Sequence, residues 1–385
     1  MNAHSCLRII SQASAKLPNG NKRHSKNRRN ETRGAQMTSE NNQVDLIGEA
    51  YQNARAEGVQ LRTGGAGDTK LVAPAKVNLY LGVGEKLEDG YHPVENVMHT
   101  LLAHDVLYMR CLSAQAFAYE TGIAFTNTEE SESQRDSNLK IHLTCSGTGA
   151  IVPPEIPARK NIVYKAVHAF AQAIGRNEDE VMDIHLEKHL PHQAGLGGGS
   201  SDAAAALVGA AKLWGIDPSD PRIEAVAKTL GADVAFFLRG GCALYNGVGE
   251  NYVRSLTARK DPVVLIKPEG GLSTAAVYRA FDENATLPSE TLKDALSSAQ
   301  TAEEVPLFNG LENVAGQLDD TLAGIRAWAQ SQPGVVSAML TGSGSCTFAI
   351  CANSAAALRV TAAAQAQGWW ATSTFFANIR AAVSK

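Results

Sequence analysis

Apolar residues first fall into a regular pattern at LVAPAKVNLYLGV, residues 71–83, where Val77, Leu79, Leu81 and Val83 alternate with their neighbours. A period of two lays one face of an extended chain on a core, so this stretch predicts a half-buried strand. DGYHPV, residues 89–94, gathers Asp, Gly and Pro and predicts a turn after it. Further strands are predicted at DVLYMRCL (105–112), KIHLTCS (140–146) and VMDIHLEKHL (181–190). NIVYKAVHAFAQAIG (161–175) and SDAAAALVGAAKLWG (201–215) have helical spacing instead. Towards the C-terminus DPVVLIKP (261–268) opens a second unit, VVSAMLTGSGSCTFAIC (335–351) predicts strand, glycine turn and strand, and SAAALRVTAAAQAQG (354–368) another helix. Strands and helices mix without an internal repeat, which predicts an α+β protein.

Two segments lack any such pattern. KLPNGNKRHSKNRRNETRGAQ (16–36) is basic, polar and nearly free of large apolar side chains, so it cannot bury enough surface to offset its ordering entropy. Residues 1–69 are therefore expected to be a disordered extension, with a short helix at DLIGEAYQNARAEGV (45–59) and a linker at GGAGDTK (64–70). Either the extension is inert, with a start at Met37, or it is an organelle transit peptide. The second segment, TNTEESESQRDSN (126–138), predicts a polar surface loop.

Composition narrows the classes. With 385 residues, 44% of them hydrophobic, the chain can build more than one core. A net charge of -4 argues against a nucleic-acid binder with a basic surface. No apolar run is long enough for a bilayer, which takes about 20 residues, so no membrane partner is expected. The six cysteines are scattered without metal-site spacing and predict reduced, mostly buried thiols in a reducing, cytoplasmic setting, or the plastid stroma if the extension is a transit peptide.

The chemistry concentrates in PHQAGLGGGSSDAAAAL, residues 191–207. A predicted strand leads through Pro191 into Gly195, Leu196, Gly197, Gly198, Gly199, Ser200 and Ser201, and a helix follows. Free backbone N–H groups and the positive end of a helix dipole then meet at one spot, and glycine lets a polyphosphate approach the main chain. A tight turn would explain one or two of these glycines, but not four with two hydroxyls appended. A Walker A loop is excluded because Gly199 precedes serine without lysine, and the dinucleotide fingerprint fails because its last glycine is Ser200.

AGLGGGSSDAAAAL instead resembles the glycine motif of the GHMP kinase superfamily, small-molecule kinases that hold ATP phosphates without a Walker lysine. APAKVNLYL (73–81) with DGYHPV, GADVAFFLRGGCALYNGVGE (231–250) and LTGSGSCTFAI (340–350) resemble further motifs of that family in the same order. The DGYH element points to the branch whose acceptor is a cytidine diphosphate derivative of methylerythritol. The resemblance spans residues 70–385 and implies two domains, an ATP-binding one at 70–258 and a C-terminal one at 259–385, with the active site in the cleft between them. It also implies a small-molecule substrate and a monomer or homodimer.

Site residues follow from it. Asp233 is expected to take the proton of the acceptor hydroxyl, and Lys76 to keep that carboxylate ionised and offset charge on the moving phosphoryl group. Alone, Asp233 would read as a helix cap and Lys76 as a strand-end charge. The glycine stretch from Pro191 to Asp202, with Lys188 and Asn161, is expected to hold ATP. Asp202 stands where some members have Asn, so its carboxylate should turn towards ribose or base. For the acceptor, Tyr91 offers a stacking face, His92 an edge contact, Tyr278 a second aromatic, and Asn78, Thr274, Gly342, Ser343 and Gly344 further contacts. This chain has Ala275 and Ala276 where the family commonly has proline. Mg²⁺ comes with ATP chemistry, with Ser200 or Ser201 as its candidate protein contact. Competing readings are homoserine kinase, a non-catalytic sensor on the same fold, and an NAD-dependent oxidoreductase.

Overall fold

The computed structural model describes residues 68–384 except 89, 124–137, 150 and 154. The expectations for residues 1–67 and 126–137, and for Asp89, lie outside the described residues. Gly64–Lys385 cluster as one compact unit.

The strands are β1 (Thr69–Val83), β2 (Val94–Ser113), β3 (Lys140–Gly147), β4 (Glu180–Lys188), β5 (Cys242–Asn246), β6 (Asn251–Leu256), β7 (Pro262–Lys267), β8 (Phe308–Asn309), β9 (Val335–Leu340), β10 (Thr347–Cys351), β11 (Trp370–Phe375) and β12 (Ala382–Val383). The helices are α1 (Ala114–Thr121), α2 (Ile162–Ile174), α3 (Gly198–Leu213), α4 (Pro221–Leu230), α5 (Ala232–Arg239), α6 (Thr274–Glu283), α7 (Glu290–Ser298), α8 (Glu312–Leu318), α9 (Asp320–Ser331) and α10 (Ser354–Ala366). One sheet runs β12-β1-β2-β4-β3, with β5 on β2, β6 on β5 and β8 on β1. Its pairs are antiparallel except β3 with β4 and β8 with β1. The other is the antiparallel sheet β11-β7-β10-β9. The fold is α+β, and among the described residues no doubly wound parallel sheet is present.

Side-chain size decides how these layers close. Ala203, Ala204, Ala205 and Ala206 let α3 bury itself on nearly all sides. At Gly209 the approach is closest, since a Cβ there would lie 2.5 Å from Met109 Sδ on β2. In β7, Val264 and Ile266 face α9 and α10, while Val263 and Leu265 face a core shared with Val77 and Leu79 of β1 and Leu196 of the glycine stretch. Burial on both faces explains why DPVVLIKP is apolar without alternation.

Two elements differ from the sequence expectation. The second strand begins at Val94, far ahead of Asp105, because the buried His99 and Thr100 interrupt its apolar pattern. The helix after the glycines begins at Gly198, inside the glycine stretch. Long-range contacts set that start: Lys76 N–H donates to the Leu196 carbonyl at 2.9 Å, and Cys346 N–H to the Ala194 carbonyl at 3.2 Å.

Candidate active site

The glycine stretch is pinned from two sides, and only some of its glycines are sterically required. Gly195 and Gly197 have φ of 72° and 69°. A Cβ on Gly195 would collide with the Thr341 carbonyl, and one on Gly197 would lie 2.8 Å from the Phe237 ring and 3.1 Å from Lys76 Cγ. Gly198 and Gly199 already belong to α3, whose cap, Gly197, makes no side-chain hydrogen bond to the first turn. The opening N–H groups of a helix lack partners within it, so they remain available to an anion. Ser201 Oγ is fully buried and has no hydrogen-bond partner, which fits a phosphate oxygen beside that turn. Pro191 lies away from this centre, on a separate cavity with His192 and Lys267.

A cavity of about 230 Å³ sits in front of the stretch, lined by Gly195 and Gly197 together with Lys76, Asn78, Asn96, Asp233, Thr274, Tyr278, Gly342 and Ser343. Lys76 and Asn78, two residues apart on β1, project to the same side. Asp233 sits in the first turn of α5 and is 31% exposed, against 5% for Lys76, with Lys76 Nζ 3.6 Å from its Oδ2. The ammonium also donates to Asn78 Oδ1 at 2.8 Å. At the start of α6 and in the β9–β10 turn, Thr274 Oγ1 and Ser343 Oγ lie 3.0 Å apart on the same cavity. Gly344 is in the same β9–β10 turn, at φ 88°.

The aromatic residues divide. Tyr278 reaches the cavity, and burial, with Asp233 nearby, pushes its hydroxyl above the usual range. His92 is buried behind it, the ring centroids 5.6 Å apart. Its Nδ1 faces the Gly84 carbonyl at 2.9 Å and its Nε2 lies 2.9 Å from Asp282 Oδ1. Both ring nitrogens thus have protein partners, so His92 supports Tyr278 in this structure more than it offers an edge. Tyr91 is 63% exposed on the loop before β2.

Lys188, Asp202 and Asn161 are committed to protein contacts. The Lys188 ammonium bonds Asp105 and, at 2.6 Å, Asp202 Oδ2. Asp105 Oδ1 also accepts from the His189 and Leu190 N–H groups at 2.6 and 2.9 Å. Burial pushes the Asp202 carboxyl up against the pull of Lys188; burial also opposes the Lys188 charge, but the two carboxylates hold it protonated. Asn161 Oδ1 accepts from Val163 N–H at 2.9 Å and caps α2.

The GHMP kinases N terminal domain matches residues 161–241 and the GHMP kinases C terminal domain residues 290–368. The 4-diphosphocytidyl-2-C-methyl-D-erythritol kinase of Desulfitobacterium hafniense is 34% identical over 285 residues, which is 73% of this chain and 86% of that protein. That of Deinococcus radiodurans is 36% identical over 310 residues, 78% of this chain and 90% of that protein. The chain belongs to the 4-diphosphocytidyl-2-C-methyl-D-erythritol kinase family. A crystal structure of a 4-(cytidine 5'-diphospho)-2C-methyl-D-erythritol kinase superposes with a TM-score of 0.62 at 31% identity, covering 80% of this chain and 99% of that one. Homoserine kinase from Cytophaga hutchinsonii, at 16% identity and a TM-score of 0.55, shares the fold alone.

Within this erythritol kinase family site, sequence reasoning missed Asn96, Asn309 and Thr341. Thr341 Oγ1 accepts from Asn78 N–H at 3.1 Å, and Asn309 Nδ2 donates to the carbonyls of Leu340 and Gly342 at 2.8 and 2.9 Å. Thr341 was within reach, since it lies inside the quoted LTGSGS turn. Nothing local distinguishes Asn96 or Asn309 from any other asparagine.

Proposed function

We propose that this protein phosphorylates the 2-hydroxyl of 4-diphosphocytidyl-2-C-methyl-D-erythritol with ATP, in the non-mevalonate route to isoprenoid precursors. The observation behind it is the Lys76–Asp233 pair at 3.6 Å, lining one cavity together with Gly195 and Gly197 of the glycine stretch, in a chain of this kinase family. ATP supplies the phosphoryl group. Asp233 accepts the proton as the acceptor oxygen bonds to the γ-phosphorus, and the bond to the β-phosphate oxygen breaks to release ADP. Lys76 offsets the charge that gathers on the transferred group. The N–H groups at the start of α3 hold the phosphates, and Tyr91 with Tyr278 receives the cytosine ring. Among the described residues no group of three or more His, Cys, Asp or Glu is placed to hold a metal. Ser200 or Ser201 would be the protein hydroxyl beside a Mg²⁺ ion, which would offset charge on the triphosphate. We place the reaction in the cytoplasm, by a monomer or homodimer without a nucleic-acid partner; among the described residues no helix is long and apolar enough to cross a membrane.

An ADP-release assay offering the cytidyl acceptor and homoserine side by side tests this. Turnover is expected on the cytidyl acceptor alone. Turnover on homoserine alone, or on neither, would overturn it.

A further inference from the structure

Lys76 is placed through Asn78, and Asn78 has an orientation to be decided. An ammonium only donates, so the amide must turn its oxygen to Lys76 Nζ, 2.8 Å away. Thr341 Oγ1 donates to the same oxygen at 3.0 Å and accepts from Asn78 N–H at 3.1 Å. Its Nδ2 is then left facing the other way in a buried position, where an unmet donor is costly. Asn96 Oδ1 meets it at 2.7 Å.

Strand register puts Asn96 there. Met98 is the cross-strand partner of Asn78, and Asn96, two residues along β2, takes the diagonal place on the same face. A register shift lies between Asn78 and Tyr80, after which Leu81 pairs with Asn96. Asn96 is 7% exposed and lines the cavity that holds Lys76 and Asp233.

We infer that Asn96 is a positioning residue of the phosphoryl-transfer site, acting through Asn78 to aim the Lys76 ammonium. The inference rests on the proposed kinase reaction for its kinetic effect, but not for its structural one. Misplacing a group in direct contact with the reaction by about 1 Å can cost about 100-fold in rate.

Asn96→Leu keeps the size and removes the acceptor; Asn96→Asp keeps an oxygen in place for Asn78 Nδ2. In steady-state assays with ATP and the cytidyl acceptor, Asn96→Leu is expected to lower kcat by up to about 100-fold with the KM for ATP unchanged, while Asn96→Asp retains clearly more of kcat. Melting temperatures establish that both variants are folded. A crystal structure of Asn96→Leu is expected to show the Asn78 amide moved off Lys76, a readout that needs no turnover. Wild-type kcat in Asn96→Leu, an equal loss in both variants, or an unmoved Asn78–Lys76 contact would each overturn the role of Asn96. Inactive wild type with the cytidyl acceptor would instead overturn the proposed reaction, leaving the crystallographic result to decide Asn96.

Discussion

In the proposed reaction the partly open Asp233 carboxylate is the base and the buried Lys76 ammonium the charge clamp, and different substitutions can separate the two roles. Asp233→Asn keeps the size but cannot take a proton, so kcat should fall by about 10² to 10⁴ while ATP affinity, measured by titration calorimetry, stays put. Tyr91 is largely exposed. If it stacks on cytosine, Tyr91→Ala should cost roughly 1 to 3 kcal/mol of acceptor binding, and Tyr91→Phe much less. Acceptor KM at saturating ATP reports this, and equal losses in both variants would remove the ring from recognition. His92→Ala should act in the same direction, through the packing and placement of Tyr278.

At the scale of the element, the glycine stretch is two structures joined. Gly195 and Gly197 form a left-handed turn against Thr341, Phe237 and Lys76, whereas Gly198 starts a helix, and a Cβ on it would lie 3.4 Å from Asp105 Oδ2 and Lys188 Nζ. Backbone strain on substitution therefore belongs to the first pair and not to Gly198. Gly197→Ala forces a side chain into φ near 69°, a cost of about 1 to 2 kcal/mol, and also presses on Lys76. Urea unfolding should show at least that loss, and kcat should fall with it. A stable, fully active Gly197→Ala would mean that the turn relaxes freely.

Across the whole molecule, a buried histidine ties β2 of one sheet to the chain just before β7 and just after β11 of the other. His99 is fully buried on β2; its Nδ1 donates to the Thr100 carbonyl at 2.9 Å, and its Nε2 accepts from Arg259 N–H, just before β7, at 3.0 Å. Phe376, just after β11, packs on the ring at 4.8 Å. Burial lowers its pKa from 6.5 to about 4. The unfolded chain binds the proton more readily, so the stability from neutral His99 is complete above pH 6.5 and is lost as pH falls towards about 4, by up to about 3 kcal/mol. Chemical denaturation across that window should show the slope, and His99→Leu, although less stable at neutral pH, should lack this share of it. An identical slope in the variant would assign the acid sensitivity to other groups.

What the sequence determined by itself is local. Alternation at 71–83, small residues after Ser201 and four crowded glycines each constrain the backbone through near neighbours, so the first strand, the buried helix and the glycine turn ahead of it were legible. The motif order identified Lys76 and Asp233 by resemblance, because neither has a local pattern that separates it from a surface charge. Tertiary structure alone decided which groups meet: Lys76 with Asp233, Lys188 between Asp105 and Asp202, and His92 behind Tyr278 with Asp282. It also decided that Asn96 and Thr341 fix the Asn78 amide. These pairings come from strand register and from the packing of one sheet on the other, and an amide or hydroxyl has no sequence period to announce the partner that packing will bring to it.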